Sequence, residues 1–102
     1  MSEASDIDEG TRVRATRHVF AREFDGELVL LDLARGDYYG LDAIGARLWS
    51  GLIAGRTVAD ITRELAPDYD VEPETLRADL LDLARDLAEK GLVERMSRDG
   101  ER

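Results

Sequence analysis

The sequence has no cysteine, one histidine and two prolines in 102 residues. Without thiols there is no disulfide framework, no thiolate zinc site and no thiol nucleophile, and a reducing cytoplasm is the expected compartment. No apolar run approaches the roughly 18 residues of a membrane span. The polar start MSEASDIDEGTR lacks an apolar h-region, so no secretory signal is expected. Cations are scarce as well: 14 basic residues stand against 23 acidic ones, for a net charge of −9. Nucleic-acid affinity comes largely from Lys and Arg displacing counterions, and anionic membranes attract the same groups. Neither nucleic acid nor membrane is therefore an expected partner; a protein or peptide is.

The catalytic inventory is equally thin. His18 has no acidic, serine or metal-ligand partner at a recognisable spacing. Carboxylate pairs such as Asp68/Asp70 and Asp79/Asp82 lack the spacing of a calcium loop. Gly36, Gly40 and Gly45 do not form a phosphate loop, and Ser50-Gly51 is not a nucleophile elbow. No cofactor, metal or catalytic residue is assigned, and the chain is read as a non-enzyme.

What is present is an ordered succession of short elements. Residues 1–12 and 95–102 are polar and aperiodic and read as disordered tails around one domain over 13–94. Val13 to Glu23 alternates loosely, as a first strand. Asp25-Gly26 is a hairpin turn signal, and Glu27 to Leu33 (ELVLLDL) is a strong strand. Its Val29, Leu31 and Leu33 lie on one face, with Leu28, Leu30 and Asp32 on the other. Asp37 to Leu41 (DYYGL) completes a three-stranded antiparallel meander.

Three helices follow. Asp42 can cap the first, Ala43 to Ile53, with Gly55 closing it. Thr57 and Asp60 form a capping box for the second, Val58 to Ala66, which should stop before Pro67. The third starts at Pro73 and ends near Lys90-Gly91, after which Leu92-Val93 can pair as a wing strand. The fold class is α+β: a β-meander followed by a three-helix, winged helix-turn-helix-like bundle. Such folds often bind DNA through their last helix. Here that helix sets Arg77, Arg85 and Lys90 against Glu74, Asp79, Asp82, Asp86 and Glu89, the wrong balance for a duplex.

Two features ask for a ligand. On the last helix Leu76, Leu80, Leu83 and Leu87 fall within an arc of about 60°, enough for a core seam. Ala84, Ala88 and Leu81 carry the apolar arc on to about 140°, with Arg77 in its midst. Either neighbouring elements cover that extension, or it borders a groove. The second feature is the last strand of the meander, which has no successor to pair with one of its edges. Tyr38 and Tyr39 put one ring on each face of it, beside Gly40, which leaves backbone accessible. A short edge strand flanked by tyrosines, next to a helix with spare apolar surface, suits β-augmentation by a peptide.

The chain then resembles a known family. A strand ending in Leu31-Asp32 precedes Gly36, Tyr38-Tyr39-Gly40-Leu41 and Gly45-Ala46-Arg47-Leu48-Trp49. Gly55, Thr57-Val58, Ile61, Leu65, Tyr69-Asp70-Val71, Asp79 and Gly91-Leu92-Val93 follow in order. This pattern, over about 28–94, is similar to the PqqD-like family, or RiPP recognition elements (RiPPs being ribosomally made, modified peptides). The resemblance implies a protein that binds the leader of a precursor peptide as a strand on the third β-strand, in a groove toward the last helix, and presents it to a modifying enzyme. The tyrosine-rich strand looks most like the stand-alone B1-type proteins of lasso peptide biosynthesis, which deliver the leader to a separate leader peptidase. The PqqD type, presenting a precursor to a radical-SAM enzyme, is the alternative, and a winged-helix DNA-binding regulator a more distant one. The expected peptide-binding residues are Leu33, Tyr38, Tyr39 and Gly40 on the strand side and Arg77, Leu80, Leu81 and Ala84 on the helix side. Ile44, Leu48, Trp49, Ile61, Leu65 and Leu83 are expected in the core, away from ligand.

Overall fold

The computed structural model describes residues 7–96; of the tails expected at 1–12 and 95–102, residues 1–6 and 97–102 lie outside the described residues. Within them the chain runs β1 (Val13–Ala15), β2 (Val19–Phe24), β3 (Glu27–Asp32), β4 (Asp37–Leu41), α1 (Ala43–Ile53), α2 (Val58–Tyr69), α3 (Pro73–Glu89) and β5 (Val93–Arg95). The antiparallel sheet β2-β3-β4 followed by three helices is the α+β architecture that the sequence implies.

The local chemistry explains most boundaries. Asp25 and Gly26 both take positive φ, 52° and 82°, as a two-residue hairpin turn matched to strand twist requires. The Asp42 carboxylate accepts the Gly45 N–H at 2.9 Å and caps α1. Thr57 and Asp60 form the expected capping box on α2. Lys90 ends α3, and Gly91 follows at φ 78°, the left-handed stop.

Three boundaries differ from the sequence reading. The expected single first strand is two. β1 pairs with β5 and β2 pairs with β3, because the chain crosses between sheets at Thr16–His18. There the Thr16 hydroxyl donates to the Gly91 carbonyl at 2.9 Å, and the Thr16 N–H donates to the Leu92 carbonyl. Helix α2 continues through Pro67 to Tyr69. The proline lies in the final turn and lacks the N–H that would pair with the Arg63 carbonyl, and that turn is tied instead to α1. Arg47 meets Asp68 at 3.3 Å and lies over the Tyr69 ring at 6.0 Å.

The third difference is at the ends of the domain. Ile7 is 1% exposed and belongs to the core, and Asp8 caps its own turn by accepting from Gly10 N–H and Thr11 Oγ1. Residues 7–12 are thus built into the fold rather than forming a tail. At the other end Arg95 lies in β5 and the Met96 N–H donates to the Arg12 carbonyl.

The core sits between the inner face of the sheet, carrying Leu28, Leu30 and Leu41, and the three helices. Leu48, Trp49, Ile61 and Leu65 are buried as expected. Ile44 and Leu83 are half-buried at its margin. Helices α1 and α2 approach closely at Gly51: a Cβ there would lie 2.6 Å from Ile61 Cδ1 and 2.7 Å from its Cγ1. Gly51→Val should accordingly cost about 1–3 kcal/mol through overpacking. The urea midpoint of the variant checks this, and an unchanged midpoint would contradict the close approach.

Candidate functional site

Strand β4 lies at the edge of its sheet, and among the described residues no strand pairs with its outer side. Its register on β3 is Leu28↔Leu41, Val29↔Gly40, Leu30↔Tyr39, Leu31↔Tyr38 and Asp32↔Asp37. Tyr39 therefore shares the inner face with Leu30, and its half-buried ring packs against the core. Tyr38 points outward and is 74% exposed.

The turn before β4 is held rigidly. Asp32, 1% exposed, accepts from Ala34 N–H at 3.0 Å and Arg35 N–H at 3.2 Å through Oδ1, while its Oδ2 is buried with no partner. His18, which the sequence leaves without a partner, puts Nε2 3.7 Å from the same Oδ1 because Val19 pairs with Asp32. The buried carboxylate thus fixes the turn that launches the free edge.

Opposite the inner face of β4 stands the end of α3. Lys90 Nζ lies 5.6 Å from the centre of the Tyr39 ring and is bonded to both Asp86 oxygens, at 2.9 and 3.0 Å. The Asp86 carboxylate raises the Lys90 ammonium above its ordinary range, against an opposing effect of burial. The Arg35 guanidinium reaches the Lys90 carbonyl at 3.4 Å, linking the β3–β4 turn to the same helix end. Leu83 and Asp86 lie on the same side of α3 as Lys90, within about 60° of one another around its axis. Tyr39 and Lys90 thus bring the inner face of β4 to the end of α3, with Leu83 and Asp86 on the same side of that helix.

This corrects the helix side of the sequence reading. Leu80 and Ala84 are 2% and 1% exposed and belong to the core. Arg77 lies on the other flank, between Glu74 at 2.7 Å and Glu9 at 3.4 Å, and Glu74 and Glu9 hold its guanidinium above its ordinary pKa. One helical turn either side of Leu81, Arg77 and Arg85 both hold the N-terminal segment, Arg85 by donating to the Ile7 carbonyl at 2.8 Å. Ile7–Glu9 lie along this flank, held by Arg77 and Arg85, and Arg77 is not brought to the tyrosines. Lys90 is brought to Tyr39, and Leu83 lies on the same side of the helix. Leu83 falls inside the core seam by spacing, and Lys90 reads simply as a helix end. On the strand side, Leu33 is 61% exposed beside His18, whose carbonyl accepts its N–H.

Elsewhere, a cleft lined by Arg63, Ala66, Pro67, Asp70, Val71 and Pro73 separates the end of α2 from the start of α3. It offers no strand edge. Among the described residues no cluster of three or more His, Asp or Glu side chains is arranged to hold a metal, and no helix is long and apolar enough to cross a membrane.

Comparison with known proteins gives the same architecture, in two cases solved with a leader peptide bound. The family model described as coenzyme PQQ synthesis protein D (PqqD) matches residues 27–93. The structure of TbiB1 in complex with the TbiA(beta) leader peptide is 38% identical, with a TM-score of 0.75 over 83% of this chain and 99% of that one. Lasso peptide synthetase B1 complexed with the leader peptide is 28% identical, with a TM-score of 0.75 over 80% and 96%. The PqqD truncation of Methylobacterium extorquens PqqCD, a stand-alone RiPP recognition element, is 29% identical, with a TM-score of 0.74 over 91% and 99%. No curated protein sequence matches significantly.

Proposed function

This chain belongs to the PqqD family, and from that premise we propose that it binds the leader region of a ribosomally made precursor peptide as a strand added to β4. The observation that carries the reading is the edge itself: a short strand whose outer side is unpaired among the described residues, with Tyr39 and Lys90 on its inner face. Main-chain hydrogen bonds to that edge supply affinity, and the inward groove supplies specificity. The chain works as an adaptor with no chemistry of its own, handing the leader to a peptidase in lasso peptide biosynthesis. Support for that pathway is the likeness to a lasso synthetase B1 and to TbiB1, both solved with leader peptides. A PqqD-type role beside a radical-SAM enzyme is the second reading, favoured by the likeness to the PqqCD-derived element.

The test is titration with the synthetic leader of the precursor encoded beside this chain, followed by backbone amide NMR. Shifts should concentrate on residues 37–41 and 83–90; no binding, or shifts elsewhere, would overturn the reading. Because docking relies on main-chain and apolar contacts, affinity should change less than about threefold between roughly 0.05 and 0.5 M salt. A steep loss would indicate charge-driven docking.

A further inference from the structure

The outer face of the sheet holds a feature that the inward groove does not use. Phe20, Leu31 and Tyr38 pair across the three strands in one row, and Arg22, Val29 and Gly40 form the next row on the same face. Gly40 has no internal reason to be glycine. Its φ is not positive, and a Cβ built on it would meet nothing within 4 Å. Glycine inside a strand weakens it, and frequently marks a place where a ligand approaches closely. The result is an open notch at the free edge, with Val29 beside it on β3 and the exposed Tyr38 ring along one side.

Resting on the leader-binding reading, we infer that the leader is read on both faces of its strand, with an aromatic or long apolar side chain lying outward across Gly40 against Tyr38. A strand added to β4 places one residue opposite Gly40, with its Cα about 4.5–5.5 Å away. An aromatic ring leaning over a cross-strand glycine covers backbone that the glycine leaves bare. The next leader residue points inward, toward Tyr39 and Lys90. The preferred ligand therefore carries adjacent apolar residues, one for each face, rather than a strictly alternating apolar and polar pattern.

Gly40→Val separates this from plain strand addition. Valine suits a strand and meets no neighbour here, so unaided pairing tolerates it. The variant should keep or raise its unfolding midpoint while leader affinity falls about fivefold, the upper range for one cross-strand pair. Serine scanning of the leader should find an outward apolar residue whose replacement costs affinity with the wild-type protein and costs little with Gly40→Val. Unchanged or tighter binding by a folded Gly40→Val, with the same β4 amide shifts, overturns the outward contact and leaves strand addition standing. Absence of wild-type binding would overturn both. Should Gly40→Val fail to fold, Tyr38→Ala at its exposed site decides: a loss of about threefold supports the contact, and wild-type affinity refutes it.

Discussion

Tyr39→Ala should weaken leader binding by about thirtyfold, the scale of an interfacial tyrosine hot spot. Its ring packs against the core from the inner face of β4 and lies under Lys90. Truncation removes an apolar wall of the groove and leaves the ammonium facing a void. Since the ring is half-buried, the same change should also lower stability, by about 2 kcal/mol. Tyr39→Phe retains the wall and the face presented to Lys90 and should behave almost as wild type in both respects. Calorimetric titration alongside thermal denaturation distinguishes the outcomes. A folded Tyr39→Ala protein with wild-type affinity would remove the inner face of β4 from the site.

Ile7→Ala should produce the converse pattern: a large loss of stability with binding preserved. Ile7 is 1% exposed and lies where Arg85 grips its carbonyl. Removing a buried isoleucine side chain costs about 2–5 kcal/mol. In a domain of this size that lowers the melting temperature by about 15 °C. The segment covers the flank of α3 that carries Arg77 and Arg85, while Lys90 and Tyr39 occupy the other. Leader affinity, measured well below the melting point, should therefore match wild type. Arg77→Glu should likewise leave affinity intact, since its partners are Glu9 and Glu74. An unchanged melting temperature for Ile7→Ala would place Ile7 outside the core.

The parts of this fold legible in the sequence are those written in local chemistry. Alternation in ELVLLDL, the Asp25-Gly26 turn and the caps at Asp42 and Thr57 each act within a few residues, and each is found where the sequence implies it. What escaped is long-range. The break between β1 and β2 depends on Thr16 meeting the carbonyls of Gly91 and Leu92, about which nothing near Thr16 gives notice. Ile7 is one apolar residue in an acidic stretch, and only the vacant flank of α3 makes it core. The same limit applies to the helix side of the candidate site. A helical wheel shows how wide the apolar arc of α3 is, but not which neighbour takes each sector. The wheel sets Arg77 in that arc, but only the fold shows that Glu9 and Glu74 hold it and that Lys90 lies over Tyr39. The edge strand was legible because its exposure follows from counting strands.

The pairing of β1 with β5, Val13↔Arg95 and Ala15↔Val93, brings the two ends of the domain to one point. A protein joined to either end would be tethered at nearly the same spot and at nearly the same distance from β4. A flexible tether of suitable length raises the effective concentration of the attached partner into the millimolar range. For an adaptor of this shape, covalent fusion at either end and separate expression are both compatible with the same peptide-binding edge. They differ in how often a captured peptide meets its enzyme, and leave the strand that captures it untouched.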